Sequence, residues 1–461
     1  MNQRLGNTIL AGSFCGLLFG YDIGALSSAA RGLRAQFALS GSAFGFAVSS
    51  ALIGTIAGSM AAGFLADAFD RRTTLLISGF LYLFAQLGAA FAPGLVPFAI
   101  CRIVCGVAIG LISVAVPMYL AEVSPAQLRG RIVGSFQFSV SIGVVLAFGL
   151  GYLLSSHMQP GASWRYTLAA GAIPALLCEI FLQRSSPSPR WLAIKGRFAE
   201  VRSAFEELGS SDPEADEAQL ETAMAESNSS RKSSLFAPQH TRPILLAVSI
   251  AMFNQLTGVN ALLYYILDIF ADLGSGRLNG RRDAILVSAL SLVVTMLAVG
   301  LIDKVGRRPL LLAGTIGMGV CLALFPAIRY MYWPASTVVI VLASYNAFFG
   351  FSQGAVVWVY LSEIFPLPIR ARGQSLGSTV HWITNAFVVG TFPALTTYLR
   401  ERVFVVFALL MALQFLTVLF FYPETKRARL ESLASKISSK ALADGKDESS
   451  VDRKERFYNS P

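Results

Sequence analysis

One carboxylate, Asp22, lies within the apolar run LLFGYDIGALSS at residues 17–28. A charged side chain near the centre of a bilayer costs about 2.5–3.5 kcal/mol on insertion scales, so an acid is kept there only where it has a use. Burial in an apolar helix disfavours the charged form of a carboxyl, which suits Asp22 to binding and releasing a proton. The charged form needs a cation nearby, and another apolar run carries Arg102.

Helical rise tests whether Asp22 and Arg102 can meet. At 1.5 Å per residue, Asp22 lies about 21 Å from the inner end of a helix that begins near residue 8. Arg102 lies about 28 Å from the same surface, on a helix that runs inward and ends near residue 121. An arginine side chain can span the difference of about 7 Å. The two side chains are therefore predicted to form an ion pair, which either responds to a proton on Asp22 or acts as a structural clip between helices.

A second group of side chains suits a neutral, hydroxylated ligand. A sugar needs amides and hydroxyls for its hydrogen bonds and aromatic faces for its C–H surface, but it needs no charge. Side chains of this kind at membrane depth are Gln137, Asn254, Gln255, Asn260, Trp358 and Trp382. The alternative for a lone amide in a membrane helix is an interhelical hydrogen bond, worth roughly 0.6–2 kcal/mol, and it is favoured for Gln137 or Asn385 taken alone.

The elements that would position these residues are membrane helices. Of the 461 residues, 54% are hydrophobic and 14% are charged, against roughly 25% charged in soluble domains. No cleavage site follows the first run, so we expect it to be a retained helix. Runs of about 20 residues, long enough to cross a bilayer, occur at 8–28, 44–66, 73–92, 96–121, 132–155, 164–183, 243–270, 284–302, 309–328, 337–362, 373–399 and 402–422.

An internal repeat relates the two groups of six runs. YLAEVSPAQLR at 119–129 matches YLSEIFPLPIR at 360–370, and DAFDRRTTLL at 67–76 matches DKVGRRPLLL at 303–312. A weaker pair starts with PSPRWL at 187 and PETKRA at 423. Parallel six-helix halves are a transporter architecture, with the substrate site between them near mid-membrane.

The predicted fold class is thus an all-α membrane protein with twelve transmembrane helices in two parallel six-helix halves. The predicted divisions are an N-terminal half at 1–183, a cytoplasmic linker with short helices at 184–242, a C-terminal half at 243–422 and a mostly disordered cytoplasmic tail at 423–461.

The repeated motifs also predict a cytoplasmic gate, in which charges at helix ends link neighbouring helices while the inner side is shut. The alternative is that these charges only set topology, since a surface ion pair is worth under about 1 kcal/mol. The gate residues are Asp67, Arg72, Glu122 and Arg129 in the first half and Asp303, Arg308, Glu363 and Arg370 in the second.

Charge and cysteine usage limit the other possibilities. Basic residues near span ends favour one side, which places both termini and the linker in the cytoplasm. The net charge of +10 comes without an aromatic-interleaved basic face, so no nucleic-acid partner is expected. The five cysteines lie in apolar segments and the three histidines are scattered, so we expect no disulfide, metal site or cofactor. No catalytic triad or phosphate loop is present, and we expect no enzyme.

Taken together, the motifs resemble those of the sugar porter family of the major facilitator superfamily, over residues 8–431. The motifs that carry the resemblance are GYD at 20–22, Arg102 with Gly106 and Gly110, PMYLAEVSPAQLRGR at 117–131, QLTGVNALLYY at 255–265, DKVGRRP at 303–309, WVYLSEIFP at 358–366 and PETK at 423–426.

The resemblance implies roles for particular residues. Proton-coupled members have an acid at the position of Asp22, whereas facilitators generally have a neutral residue there. Tyr264 and Tyr265 resemble the aromatic pair that closes the outer gate, although they equally suit membrane-interface anchors. The family's sugar contacts map onto Phe19, Gln137, Gln255, Asn260 and Trp358.

The chain also departs from the family pattern. Asn254 replaces a glutamine, Ser291 an asparagine and His381 an amide, and Ala355 replaces the proline beside Gly354. His381 is either a group that titrates near neutral pH or an ordinary hydrogen-bonded residue. In the cytoplasmic loops, Ala68 and Asp70 replace Arg and Gly of DRxGRR, and Pro187 replaces the glutamate of PESPRWL. These changes leave the particular sugar open.

We therefore predict a secondary active transporter that moves a monosaccharide (a hexose or pentose) or a polyol together with a proton, by alternating access. The alternatives are a facilitative sugar uniporter and, from another class, a sugar sensor that does not transport. The expected partners are the sugar, the proton and the lipid bilayer, and we expect a monomer. The short loops favour a bacterial inner membrane.

Overall fold

The computed structural model describes residues 3–39, 41–125, 127–158, 160–228, 234–263, 266, 277–331, 333, 335–366 and 369–426. Tyr264, Tyr265 and the tail beyond residue 426 lie outside this part of the chain. The helices of the first half are α1 Gln3–Gln36, α2 Gly41–Phe69, α3 Arg71–Ala90, α4 Leu95–Val123, α5 Arg129–His157, α6 Pro160–Ala169 and α7 Ala172–Leu182.

Short helices follow in the predicted linker, and long helices then resume. The linker helices are α8 Pro189–Ile194, α9 Phe198–Leu208 and α10 Pro213–Asn228. The second half contains α11 Thr241–Leu256, α12 Arg277–Val305, α13 Arg307–Tyr330, α14 Ala335–Phe349, α15 Ala355–Glu363, α16 Arg370–Leu399 and α17 Arg402–Phe421. The part of the chain that the structure describes contains no strand, which agrees with the predicted all-α class.

Eleven stretches of the described residues are long and apolar enough to cross a membrane, judged by length and composition. Helices α6 and α7 together form one of these spans, and α14 and α15 form another. The predicted span 373–399 corresponds to α16, which is not among the eleven. Several helices extend past the predicted spans, as α1 does by continuing to Gln36, because a helix need not end where the hydrocarbon ends.

Glycines allow the helices of the first half to pack closely. Helix α1 packs against α5, and α2 packs against α4. A Cβ added at Gly20 would lie 1.8 Å from the Val140 carbonyl oxygen, and one added at Gly54 would lie 2.0 Å from that of Ile103. Lipid provides no hydrophobic force between helices, so close backbone packing of this kind drives their association. This packing positions α1, which carries Asp22, against the rest of the half.

Candidate functional site

Asp22 and Arg102 form a bidentate ion pair inside the first half. The Arg102 guanidinium donates to the two carboxylate oxygens of Asp22 at 2.5 and 2.7 Å. Asp22 is 3% exposed and Arg102 is 1% exposed. The Tyr82 hydroxyl also donates to Asp22, at 3.3 Å. A buried pair with this geometry is costly to break, because removal of either partner would leave an uncompensated buried charge.

Tyr82 was missed by the sequence reasoning. It lies on α3 between Ser78 and Gln86, and all three side chains are fully buried. Their spacing of four residues places them on one face of the helix. A polar stripe within an otherwise apolar run is the signal that would have identified Tyr82 as a partner of the acid.

A central cavity of about 80 Å³ lies between the two halves. Asp22 does not line this cavity, although its neighbours Phe19 and Ile23 do. The predicted sugar contacts that line it are Phe19, Gln137, Asn254, Gln255, Asn260, Ser291, Gly354, Trp358 and His381.

The amides form a continuous hydrogen-bond network along one wall of the cavity. The Asn260 amide donates to Gln255 Oε1 at 2.7 Å, and the Gln255 amide donates to Asn254 Oδ1 at 2.9 Å. The Gln255 amide nitrogen also lies 2.8 Å from His381 Nε2. An amide nitrogen can only donate, so His381 accepts here with an unprotonated ring nitrogen. The network is neutral, as binding of a hydroxylated solute requires.

A break in the helix brings Gln255 and Asn260 together. Helix α11 ends at Leu256, and Gly258 has φ +84°, a backbone conformation that favours glycine. The carbonyl of Thr257, at this break, accepts a hydrogen bond from the Tyr345 hydroxyl at 2.7 Å. Broken helices of this kind occur at membrane depth where they line a cavity.

Aromatic side chains form the apolar surface of the site. Trp358 donates from Nε1 to Gln137 Oε1 at 3.1 Å, and its ring centroid lies 5.0 Å from that of His381. Trp382 does not line the cavity. Its ring centroid lies 5.4 Å from that of Phe19, and its Nε1 donates across the two halves to Ser113 Oγ at 3.1 Å.

Asn346 and Ser288 also line the cavity and were not predicted. Asn346 lies on α14, where it accepts a hydrogen bond from Ser291 Oγ at its backbone carbonyl at 3.2 Å. One π-helical turn, Gly350–Gly354, follows and separates α14 from α15. Such turns widen a helix locally and often mark functional sites. The amide criterion that selected Asn254 applies equally to Asn346.

At the helix ends on the side of α8–α10, each half contains a buried cluster of charges. Arg71 Nε lies 2.9 Å from Glu122 Oε2, and Arg307 Nη2 lies 2.8 Å from Glu363 Oε1. Arg307 is also 3.0 Å from Asp303, whereas Arg71 is 3.6 Å from the partly exposed Asp67. The two clusters therefore have the same design but different distances.

Arg72 and Arg308, the predicted gate arginines, do not take part in these ion pairs. Arg72 Nε donates to the Leu182 carbonyl at 2.8 Å, and Arg308 donates to the Leu419 carbonyl at 2.5 Å. The preceding arginine of each pair makes the ion pairs, because consecutive residues point about 100° apart around a helix. Arg129 and Arg370 are buried, and Arg370 Nε donates to the Phe365 carbonyl at 3.2 Å.

Hydroxyls from the segments after α7 and α17 complete the clusters. Ser188 Oγ donates to Glu122 at 2.5 Å, and Thr425 Oγ donates to Glu363 at 2.7 Å. Ser188 is therefore the counterpart of Thr425. The alignment of the weaker third pair of motifs, predicted to start at 187 and 423, must be shifted by one residue. The predicted match of Pro187 with Pro423 was wrong, and Pro187 corresponds to Glu424 instead.

Contacts between the halves close the side of the molecule that carries α8–α10 in this structure. The backbone nitrogen of Arg131 donates to Asp303 Oδ2 at 2.9 Å, and Ser375 Oγ donates to the Ser59 carbonyl at 2.5 Å. Arg372 lies 3.9 Å from Asp67 across the same boundary. Two repeated helical halves, a neutral polar cavity between them and a buried acid–base pair beside it define a secondary transporter of polar solutes.

Comparison with known proteins supports this class. The family model for sugar (and other) transporters matches residues 8–436. The chain belongs to this family, the sugar porters of the major facilitator superfamily, and both the resemblance and the expectation of no enzyme are confirmed.

Two curated relatives and one solved structure illustrate the similarity. A D-xylose transporter of Levilactobacillus brevis is 33% identical over 84% of this chain and 85% of the relative. The major myo-inositol transporter of Bacillus subtilis is 34% identical over 93% of both chains. A proton:xylose symporter structure, bound to 6-bromo-6-deoxy-D-glucose, superposes with a TM-score of 0.86 at 29% identity, over 93% of this chain and 98% of that one.

Proposed function

We propose that this protein is a symporter that moves a monosaccharide or polyol together with a proton by alternating access. The observation that carries the proposal is the buried Asp22–Arg102 ion pair, placed directly behind the cavity wall. Its relatives include a pentose transporter and a polyol transporter, and a hexose analogue occupies the similar symporter structure. All three solute classes therefore remain within the proposal.

Helix α1 is the proposed link between proton and sugar. Phe19 and Ile23 face the cavity, whereas Asp22 faces Tyr82 and Arg102 on the neighbouring helices. Protonation of Asp22 removes its charge and weakens its hold on Arg102. Sugar binding against Phe19 and loss of the ion pair then act on the same helix, which biases the equilibrium between outward-facing and inward-facing states.

The cavity residues have distinct proposed roles. The amides Gln137, Asn254, Gln255 and Asn260 would exchange their mutual hydrogen bonds for bonds to sugar hydroxyls, and His381 would accept one. Apolar contacts would come from the aromatic residues Phe19, Trp358 and, behind Phe19, Trp382. The remaining proposed contacts are Ser291 and Gly354, and the proposed outer gate is Tyr264 with Tyr265.

The contacts between the two halves at the cytoplasmic ends are the proposed inner gate, and a buried charge cluster lies beside them in each half. The buried pairs of these clusters, Arg71–Glu122 and Arg307–Glu363, hold neighbouring helices together while contacts such as Arg131–Asp303 join the two halves. Inward opening has to break the contacts between the halves. The duplicated clusters would keep each half rigid during this movement.

We further propose that both termini and the linker at 184–242 lie in the cytoplasm, between an N-terminal half at 1–183 and a C-terminal half at 243–422. The basic residues near span ends support this orientation. We also propose a monomer in a lipid bilayer. The short loops favour a bacterial inner membrane.

The test is the change in external pH when candidate sugars are added to de-energised proteoliposomes. Wild type should alkalinise the medium, and Asp22→Asn, which keeps the side-chain shape, should abolish the pH change while retaining sugar exchange. Sugar uptake without proton movement in wild type would contradict symport.

Facilitated uniport is the second candidate. Asp22 receives hydrogen bonds from both Arg102 and Tyr82, so the pair is also well built as a structural clip. In that case wild type would equilibrate sugar without accumulating it, and Asp22→Asn would lower thermal stability without any change in proton movement.

A further inference from the structure

A second acid, Glu179, is buried in the first half and has no role in the function proposed above. It lies on α7 and is 2% exposed. Neither of its carboxylate oxygens has a hydrogen-bond partner among the described residues. A Cβ added at Gly79 of α3 would lie 1.9 Å from Glu179 Oε1, so the carboxyl fills the space that this glycine leaves.

The lack of a partner determines the protonation state of Glu179. An isolated ionised carboxylate in an apolar interior is so costly that the group takes up a proton instead. We therefore expect Glu179 to be neutral. Asp22, by contrast, accepts hydrogen bonds from Arg102 at 2.5 and 2.7 Å. The same half thus contains one buried acid with a cationic partner and one without.

Glu179 lies on the cytoplasmic side of Asp22. A Cβ added at Gly171 would lie 3.2 Å from the ring of Tyr21, the neighbour of Asp22. Glu179 follows eight residues later, which is about 12 Å further inward at helical rise. Helix α7 ends at Leu182, whose carbonyl accepts a hydrogen bond from Arg72 at the inner end of α3. No residue of α7 lines the sugar cavity.

The ionisable groups around Glu179 come from the two helices packed against α7 and from α7 itself. Helix α3 contributes Tyr82, one turn outward from Gly79, and Arg72 at its inner end, and α1 contributes Cys15 and Asp22. On α7, Cys178 lies with its sulfur 2.7 Å from that of Cys15. The arginine hydrogen bonds to the ends of α7, so it leaves Glu179 without a counter-ion.

We propose, resting on the proton symport proposed above, that Glu179 is a second proton-binding site through which the proton of Asp22 leaves to the cytoplasm. Inward opening admits water to the inner half, and Glu179 loses its proton to that water. Water in the opened inner half then carries the proton from the Asp22 carboxyl to the emptied Glu179 carboxylate, and Asp22 pairs again with Arg102. Glu179 begins and ends protonated, so one proton crosses for each cycle.

Two variants test the relay in proteoliposomes. Glu179→Gln keeps shape and neutrality but cannot release a proton, so sugar-evoked proton uptake should slow by about tenfold or more, as expected for loss of a positioned proton acceptor. Sugar counterflow, which needs no net proton movement, should stay near the wild-type rate. Gly79→Ala, which displaces the carboxyl, should slow proton uptake in the same way, and Glu214→Gln, at an exposed carboxylate of the linker, is the matched control.

Infrared difference spectroscopy supplies a direct measure of protonation. Wild type at neutral pH should show the C=O stretch of a protonated carboxyl that is absent in Glu179→Gln and changes when sugar is added. A band that never responds to sugar or pH, together with wild-type proton uptake in Glu179→Gln, would overturn the relay. If wild type moves sugar without protons, symport itself fails. If only Asp22→Asn loses coupling, symport stands and the relay alone falls.

Discussion

The short loops before α3 and α13 occupy equivalent places in the two halves, yet they cap their helices with different carboxylates. In the second half, Glu424 accepts hydrogen bonds from the backbone nitrogens of Arg307 and Arg308, both at 3.0 Å. In the first half, Asp70 accepts from the backbone nitrogen of Arg71 at 2.7 Å. Both carboxylates satisfy nitrogens that a helix start leaves without partners.

A cap like Asp70 and a cap like Glu424 cannot both be present in one half, because they would occupy the same space. Gly306, at the position equivalent to Asp70, has φ +107°, and a Cβ there would lie 2.6 Å from Glu424 Oε2. A side chain before the helix and a glutamate from the following segment therefore compete for one space. The first half has the side chain, Asp70, and lacks the glutamate, which Pro187 replaces. The backbone of Asp70 is strained in this position, with a φ of +80°.

The difference changes what the cap connects. Glu424 connects the start of α13 to the segment after α17. Asp70 accepts its hydrogen bond from the adjacent residue, so it connects α3 to no other segment. The segment after α7 is held instead by Ser188 on Glu122 and by Arg72 on the Leu182 carbonyl. We expect the second-half cluster to be the stiffer of the two.

The largest expected effect comes from the arginines of the ion pairs. Arg307 has two buried carboxylate partners, Glu363 at 2.8 Å and Asp303 at 3.0 Å, whereas Arg71 has one close partner, Glu122. Loss of one member of a buried pair costs about 3–5 kcal/mol. Arg307→Gln should therefore lower the melting temperature in detergent more than Arg71→Gln. Equal losses would show that the two clusters are equivalent in stability.

A smaller effect is expected at Gly306. Gly306→Ala combines a strained backbone, at about 1–3 kcal/mol, with displacement of the Glu424 carboxylate. Gly196→Ala is the matched control, since Gly196 also has a positive φ, +76°, but no atom within 4 Å of an added Cβ. Thermal unfolding should show a larger loss for Gly306→Ala. A loss no greater than that of the control would mean that Glu424 adds nothing as a cap.

The cap of the first half should depend on pH. Burial raises the pKa of Asp70 from its ordinary 3.8 to about 6, against the opposing effect of Arg71. The folded state then binds this proton more tightly than the unfolded state does. The resulting stabilisation is fully present below about pH 4 and is lost as the pH rises through 6.

The measurement is the melting temperature of wild type relative to Asp70→Asn between pH 5 and 7.5. The advantage of wild type should decrease with rising pH by about 1–2 kcal/mol, at about 1.4 kcal/mol per pKa unit. Asp212→Asn is the control, because Asp212 caps α10 at an exposed position. A constant difference at Asp70 would contradict a shifted carboxyl.

The sequence predicts depth along a helix better than rotation around it. The meeting of Asp22 with Arg102 followed from counting residues, since helical rise fixes depth once the span ends are known. Whether Arg71 or Arg72 makes the ion pair depends on the rotation of α3 about its axis. The apolar pattern does not determine this rotation, because apolar residues face both protein and lipid.

Register across loops was the other limit. The match of Pro187 with Pro423 rested on shared prolines, but the hydrogen bonds of Ser188 and Thr425 to their glutamates set the true register. Only the structure shows that Asp70 replaces the missing glutamate, because the exchange couples residues far apart in sequence. The break at Gly258 was likewise a question of backbone conformation, and it brought Asn260 to Gln255.

The smallest expected effect tests whether Asp70 replaces the glutamate cap that is missing at Pro187. Asp70→Gly relieves the strained φ but removes the cap, so its net change in stability should be within about 1 kcal/mol. Pro187→Glu alone should destabilise, because the introduced carboxyl meets the Asp70 side chain in the same space. The double variant Asp70→Gly with Pro187→Glu recreates the arrangement of Gly306 and Glu424. We expect it to be more stable than the sum of the single changes by about 1 kcal/mol, measured as a double-mutant cycle of unfolding. Additive changes would mean that the two positions are independent, and that the first half did not move its cap from one segment to the other.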